Sequence, residues 1–280
     1  MWPFIKYKIR YPQQPPKSAA FIRIPTFMVR RLPDFILIGA PKCGTTSMYS
    51  YIETHPDFVP PLRKEIHYYS LHYRLTKVFY RAHFPLVFEE GSITGEASPS
   101  YYWHPHAPGR IKKDLPDVRL MMCLRNPVDR AYSDYWMQVR QGWETLSFED
   151  AIQQESGRVE SHYERVNREP LYWADNLSRH AYVLRGRYQL HLRRWLDTFP
   201  RDRILFITID QMKADPQGTF DRVCEHIGLD LGHEPVFKVH GRHGHTHPKM
   251  APETRKMLDK TFEEDNQVLC RMLQDDFPWA

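Results

Sequence analysis

The sequence predicts an α/β fold, a parallel-sheet, P-loop-like domain with helices on both faces. Three observations lead there. Apolar runs at residues 35–38, 118–124 and 203–210 lack the alternation of a half-exposed strand and suit strands buried on both faces. Stretches of ten or more residues with helical patterning separate them, as βαβ construction requires. The first run also opens directly into a glycine-bracketed turn followed by a helix.

Taken in order, residues 1–33 form a basic lead-in. Lys6, Lys8, Arg10, Lys17, Arg23, Arg30 and Arg31 stand there with no Asp or Glu, and removing those 7 from the 39 basic residues leaves 32 against 34 acidic ones. The lead-in therefore holds the whole excess of the +5 net charge. Pro12, Pro15 and Pro16 make it a solvated extension, while Trp2, Phe4 and Tyr7 among the cations suit peripheral contact with an anionic membrane surface or a polyanion. The remainder, 34–280, is expected to be one domain, large enough to bury a substantial core. No apolar run reaches the roughly 18 residues of a membrane span, and the N-terminus lacks the apolar core of a secretory signal. Four widely spaced cysteines exclude zinc ribbons and redox CxxC motifs, so a reducing, cytoplasmic setting is expected.

Within the domain, Phe35 to Ile38 form the first strand, and a helix opens at Thr45 and ends near His55. Residues 58–61 and 64–69 look extended, and residues 73–83 carry Leu75, Val78, Phe79 and Ala82 at helical spacing. A short strand at 93–97, a helix at 105–115 and a strand at 118–124 follow. Asn126, Pro127 and Asp129 are a cap, a first-position proline and a first-turn acid for a helix reaching about 141. A Ser-capped helix is expected at 147–156, then a polar loop with helical fragments to 175, a long helix at 177–199 and a strand at 203–210. Pro216–Ile227 reads as a helix closed by Gly228, and after a loop rich in His and Gly, Pro252–Leu273 reads as the last helix.

Chemistry concentrates where strands end. Gly39 and Gly44 have the Walker spacing, but Thr45 stands where an ATP loop has its Lys, and the lysine is Lys42 instead. Glycine lets backbone approach an anion, and the helix N-terminus supplies amides and a positive dipole end for phosphate or sulfate. A plain turn with a solvated Lys42 is the competing reading. Arg125 follows the second strong strand, and Ser133 lies two helical turns further on. Glu65 and His67 sit two apart in LRKEIHYYS, and a carboxylate in a partly buried cleft can accept a proton. Cys43 lies at a helix N-terminus, where a lowered thiol pKa is physically reasonable, although a small residue fitting the turn explains it better.

In this order of strand, GAPKCGTT, LRKEIHYYS and LRNPVDRAYSDY, the chain resembles sulfotransferases that use 3′-phosphoadenosine 5′-phosphosulfate (PAPS), most closely the heparan-sulfate or carbohydrate type. The resemblance spans about Asp34 to Trp279 and implies the sulfotransferase fold, with Lys42, Cys43, Gly44, Thr45 and Thr46 around the 5′-phosphosulfate and Arg125 and Ser133 on the 3′-phosphate. It implies Glu65 as base, with His67 as neighbour or substitute base. The loop Arg242, His243, Gly244, His245 and Thr246 would fold over the nucleotide. It also implies release of 3′-phosphoadenosine 5′-phosphate (PAP), a hydroxyl acceptor on a glycan or small molecule, no required metal and no nucleic-acid partner. His240, His243, His245 and His247 alternate without a companion carboxylate or Cys, which argues against a metal site. Three departures weaken a highly sulfated acceptor: Ala97 follows Glu96 where relatives carry Lys, Ser70 replaces an acid, and a disulfide hairpin before the last loop is missing. Sulfation of a phenol, alcohol or lipid, a nucleotide kinase and a non-enzymatic polyanion binder are the alternatives.

Overall fold

The computed structural model describes residues 18–88, 91, 93–238 and 247–279. Its centre is a four-stranded, wholly parallel sheet of β1 (Phe35–Gly39), β2 (Gly95–Ala97), β3 (Arg119–Leu124) and β4 (Ile204–Thr208), in the order β2-β1-β3-β4. Every residue of β1 and β2 is buried, so both faces are covered and continuous apolar runs are what such strands demand. The register pairs Phe35 with Gly95 on one side and with Arg119 on the other. β1 thus feeds β2 to one side while β3 returns on the other, which makes the carboxyl end of β1 the switch point where open α/β sheets bind ligands.

The helices expected after β1 and β3 are Thr45–Ile52 and Pro127–Arg140, and Asn126 caps the second by accepting from Val128 N and Asp129 N. Four expectations are corrected. The helix expected at 73–83 is only Lys77–Arg81. The polar stretch expected to be mostly loop is one helix, Glu155–Arg168. The long helix expected at 177–199 is three pieces, Asp175–His180, a 3₁₀ turn at Leu184–Gly186, and Tyr188–Leu196. The last strand stops at Thr208, because the Thr208 and Gln211 side chains form a capping box that starts a helix over Ile209–Ala214. Asp210 lies on that helix beside Lys213 at 3.8 Å.

Part of the basic lead-in is folded onto the body. Ala20 is fully buried, the Phe21 and Phe79 rings lie 5.3 Å apart, and Arg30 Nη1 donates to Phe84 O at 2.8 Å. Residues 1–17 lie outside the described part. A second, smaller core gathers Val128, Ala131 and Tyr135 against Phe148, Tyr182, Leu258 and Phe262.

Candidate active site

β1 delivers the chain into the turn that ends at Gly44, whose φ of 84° is left-handed. A side chain there would be strained and would also meet Ile209 Cγ1 at 3.2 Å and Met212 Sδ at 3.3 Å. Glycine at this position lets the Thr45–Ile52 helix start abruptly, with its N-terminus at the sheet edge. Lys42 is also left-handed, at φ 72°. Cys43 is turned the other way: its Sγ lies 3.4 Å from the Tyr188 hydroxyl, and its N–H donates to Ala40 O. Burial pushes its thiol up to about 11, so Cys43 fills the turn from beneath and is neither a lowered-pKa thiol nor, through its side chain, a ligand contact.

Arg125 emerges at the end of β3 as expected, and its Nη1 donates to Lys42 O at 3.3 Å. This bond ties the candidate 3′-phosphate site to the anion turn. Ser133 is half-buried on the following helix, on the face it shares with Asp129, Trp136 and Arg140 by helical spacing. The expected nucleotide-covering residues Arg242, His243, Gly244, His245 and Thr246, and His240 with them, lie outside the described residues. The segments on either side are placed. Tyr51 OH donates to Lys238 O at 2.9 Å, His247 stacks on Trp136 at 4.7 Å, and Tyr132 OH donates to Pro248 O at 2.8 Å. The placed residues before and after the loop therefore sit against the helix after β1 and the helix that carries Ser133.

Glu65 and His67 come together. His67 Nε2 is 3.5 Å from Glu65 Oε2, with the side chains 21% and 13% exposed, so the pair is accessible but sheltered. Segment 64–69 is not extended, as it was expected to be: Glu65 and His67 have left-handed φ of 60° and 55°. Such backbone costs on the order of 1–3 kcal/mol per residue and persists where neighbours hold it. The holders lie at and just after the end of β2: Glu65 N–H donates to Ala97 O at 3.0 Å, His67 N–H to Ser98 Oγ at 3.0 Å, and His67 Nδ1 pairs with Ser100 Oγ at 2.8 Å.

Two features escaped the sequence reading. Lys64 is no surface lysine; it is 3% exposed, and its ammonium reaches Thr46 Oγ1 at 3.1 Å and Glu65 Oε1 at 3.9 Å. Its place beside the glutamate in LRKEIH was the available signal. Beneath the anion turn, Asp134 Oδ2 is shared by Arg130 at 3.0 Å and Arg185 at 2.6 Å, all three buried. Burial alone would raise the Asp134 carboxyl, but Arg185 and Arg130, with Lys42 beyond, hold it below its ordinary value. Two guanidinium groups against that one carboxylate favour an anion at the turn above.

An amide-lined anion turn facing a sheltered carboxylate–imidazole pair defines an enzyme that moves a group from an anionic donor. The chain belongs to the sulfotransferase domain family, which it matches over residues 32–249, and it is a sulfotransferase. It is 28% identical over 301 residues to the mouse heparan sulfate glucosamine 3-O-sulfotransferase 6, covering 96% of this chain and 81% of that protein. The crystal structure of a sulfotransferase from Alicyclobacillus acidocaldarius is 28% identical and superimposes with a TM-score of 0.74, covering 89% of this chain and 99% of that one. Mouse sulfotransferase SULT7A1 complexed with PAP matches at a TM-score of 0.50 over 87% of this chain and 89% of its own, and at 14% identity this likeness concerns the fold alone.

Proposed function

We propose that the protein transfers the sulfuryl group of PAPS to a carbohydrate hydroxyl by in-line displacement, releasing PAP. The single observation that carries this reading is the strip Thr46, Lys64, Glu65, His67. It sets the start of the anion-binding helix and a sheltered base within a few ångströms of each other.

Lys42 and the amides of the turn neutralise the charge that builds on the leaving phosphate oxygen, a stabilisation fixed in place before reaction. Glu65 accepts the acceptor proton, and His67 orients it. Arg125 and Ser133 hold the 3′-phosphate. The carbohydrate acceptor is supported by the heparan sulfate relatives. Against a densely sulfated one stand Ala97 after Glu96 and Ser70, which leave the acceptor side without the lysine and the acid of the carbohydrate-type enzymes. The four free cysteines suit a reducing compartment.

The test is transfer from labelled PAPS to an unsulfated heparan-type backbone, to its N-sulfated form and to a simple phenol. Label in either glycan supports the reading. Label in the phenol alone overturns the carbohydrate acceptor, and no label in any of the three overturns the acceptor assignment altogether.

A further inference from the structure

The geometry points to Glu96 as a positioning residue that shapes the Glu65–His67 segment through two relay hydroxyls. Glu96 lies on β2, fully buried. Three hydroxyls converge on its carboxylate: Tyr80 OH at 2.7 Å and Tyr101 OH at 3.1 Å on Oε1, and Ser98 Oγ at 2.6 Å on Oε2. Two of these have a second task. Ser98 Oγ accepts the N–H of His67 at 3.0 Å, and Tyr101 OH accepts the N–H of Tyr69 at 3.3 Å.

A hydroxyl has one proton to give and lone pairs to receive. When ionised, as at pH 8, the acceptor-only carboxylate takes the proton of Ser98 and of Tyr101, so the lone pairs of both oxygens are left facing the segment at 67–69. The backbone they grip is the strained one, since Glu65 and His67 both stand at left-handed φ. Ser100, between the two relays in sequence, completes the support by contacting His67 Nδ1 at 2.8 Å and Ser70 Oγ at 3.0 Å. Tyr80 also donates to Glu96 but has no hydrogen bond to this segment among those described, only ring contacts with Tyr68 and Tyr69 that Tyr80→Phe keeps, so it serves as the internal control. A merely structural carboxylate would treat the three donors alike. This role rests on Glu65 and His67 being the proton-accepting pair proposed above, but the grip itself can be read without any acceptor.

The experiment is amide hydrogen exchange at pH 8 with PAP titrated calorimetrically into the same proteins. Glu96→Gln keeps the shape but puts an NH₂ where one relay proton pointed. It is expected to speed exchange at His67 and Tyr69 by tenfold or more, with segment 45–52 and PAP affinity within twofold of wild type. Tyr80→Phe should leave His67 and Tyr69 near wild type. On an accepted glycan, Glu96→Gln should lower kcat at least tenfold while KM for PAPS holds. Unchanged exchange at His67 and Tyr69 in Glu96→Gln, or an equal rise in Tyr80→Phe, overturns the inference. Should Glu96→Gln loosen the whole chain, Ser98→Ala decides: it must speed exchange at His67 and spare segment 45–52, and if it does not the inference falls. Intact exchange effects with normal kcat would instead condemn the assignment of Glu65 and His67 as the base.

Discussion

The Lys64 ammonium donates to the Thr46 hydroxyl at 3.1 Å, so the segment that carries Glu65 and His67 is bonded to the first turn of the helix after β1. The same ammonium lies 5.8 Å from the Tyr49 ring centroid, a second contact with that helix. Replacing Lys64 by Met keeps the stem and removes the charge. PAP affinity is expected to fall about tenfold, or roughly 1.4 kcal/mol, measured by calorimetry. An unchanged dissociation constant would make Lys64 a packing residue.

Arg125 is expected to read the 3′-phosphate. PAP should raise the melting temperature well above what AMP achieves, since AMP lacks only that group; at a hundredfold over its dissociation constant PAP adds about 2.7 kcal/mol. In Arg125→Ala the two nucleotides should become nearly equal. A preserved preference would place the 3′-phosphate elsewhere.

Lys42→Ala should lower kcat on the order of a hundredfold or more and weaken PAP binding far less, because its largest contribution arises as charge develops on the leaving oxygen. Steady-state kinetics with an accepted glycan separates the two. A raised KM at constant kcat would reduce Lys42 to a binding group.

Glu65→Gln retains shape and hydrogen-bonding reach but accepts no proton, so kcat should drop roughly a hundred- to ten-thousand-fold with PAPS affinity intact. His67→Ala should cost less. The reverse ranking would make the imidazole the base, and a phenolic acceptor would then fit the site better than a sugar.

Burial pushes Glu96 up to about 7 despite three donors on its carboxylate. Between pH 4.5 and about 7 the folded chain keeps a proton that the unfolded chain has released, so this group lowers stability as pH rises through that window and adds no further slope above it. The titratable groups facing it, Tyr80, Tyr101 and Tyr69, are themselves pushed upward by burial and stay neutral throughout. Glu96→Gln lacks the slope. Its stability relative to wild type should therefore rise between pH 5 and pH 8, by at most on the order of 3 kcal/mol in denaturant titrations. A constant difference would show that Glu96 ionises normally.

The strands and the anion turn were legible because burial on both faces demands continuous apolar runs and the turn demands glycine at Gly44. The Glu155–Arg168 helix was not, since its apolar stripe is only three side chains, Val159, Tyr163 and Val166, in an otherwise polar run. The stretch at 177–199 has helical periodicity throughout, yet the helix breaks where the Tyr182 carbonyl must meet Arg130 and where Arg185 must reach Asp134. Tertiary charge pairing overrode local pattern there. At the site, Lys42 and Arg125 could be chosen by residue type and their place after strands, and Glu65 and His67 through the resemblance to heparan-type sulfotransferases. The left-handed backbone at Glu65 and His67 could not, because neither is a glycine and the hydrogen bonds that hold it come from Ala97 and Ser98, more than thirty positions away.

The strand order has one more implication. With β1 between β2 and β3, the proposed nucleotide end draws on the turn after β1 and on the β3 flank, whereas the proposed proton-accepting pair is braced from the β2 flank. Divergence on one flank can proceed while the other is kept, so acceptor choice can drift in a lineage that retains its nucleotide. A chimera exchanging residues 62–101 between two such proteins would be the laboratory form of that history, and the seam to match would include the bond from Lys64 to Thr46, the β1–β2 ladder, and the bonds from Tyr49 to Gly95 O and from Arg110 to Tyr69 O.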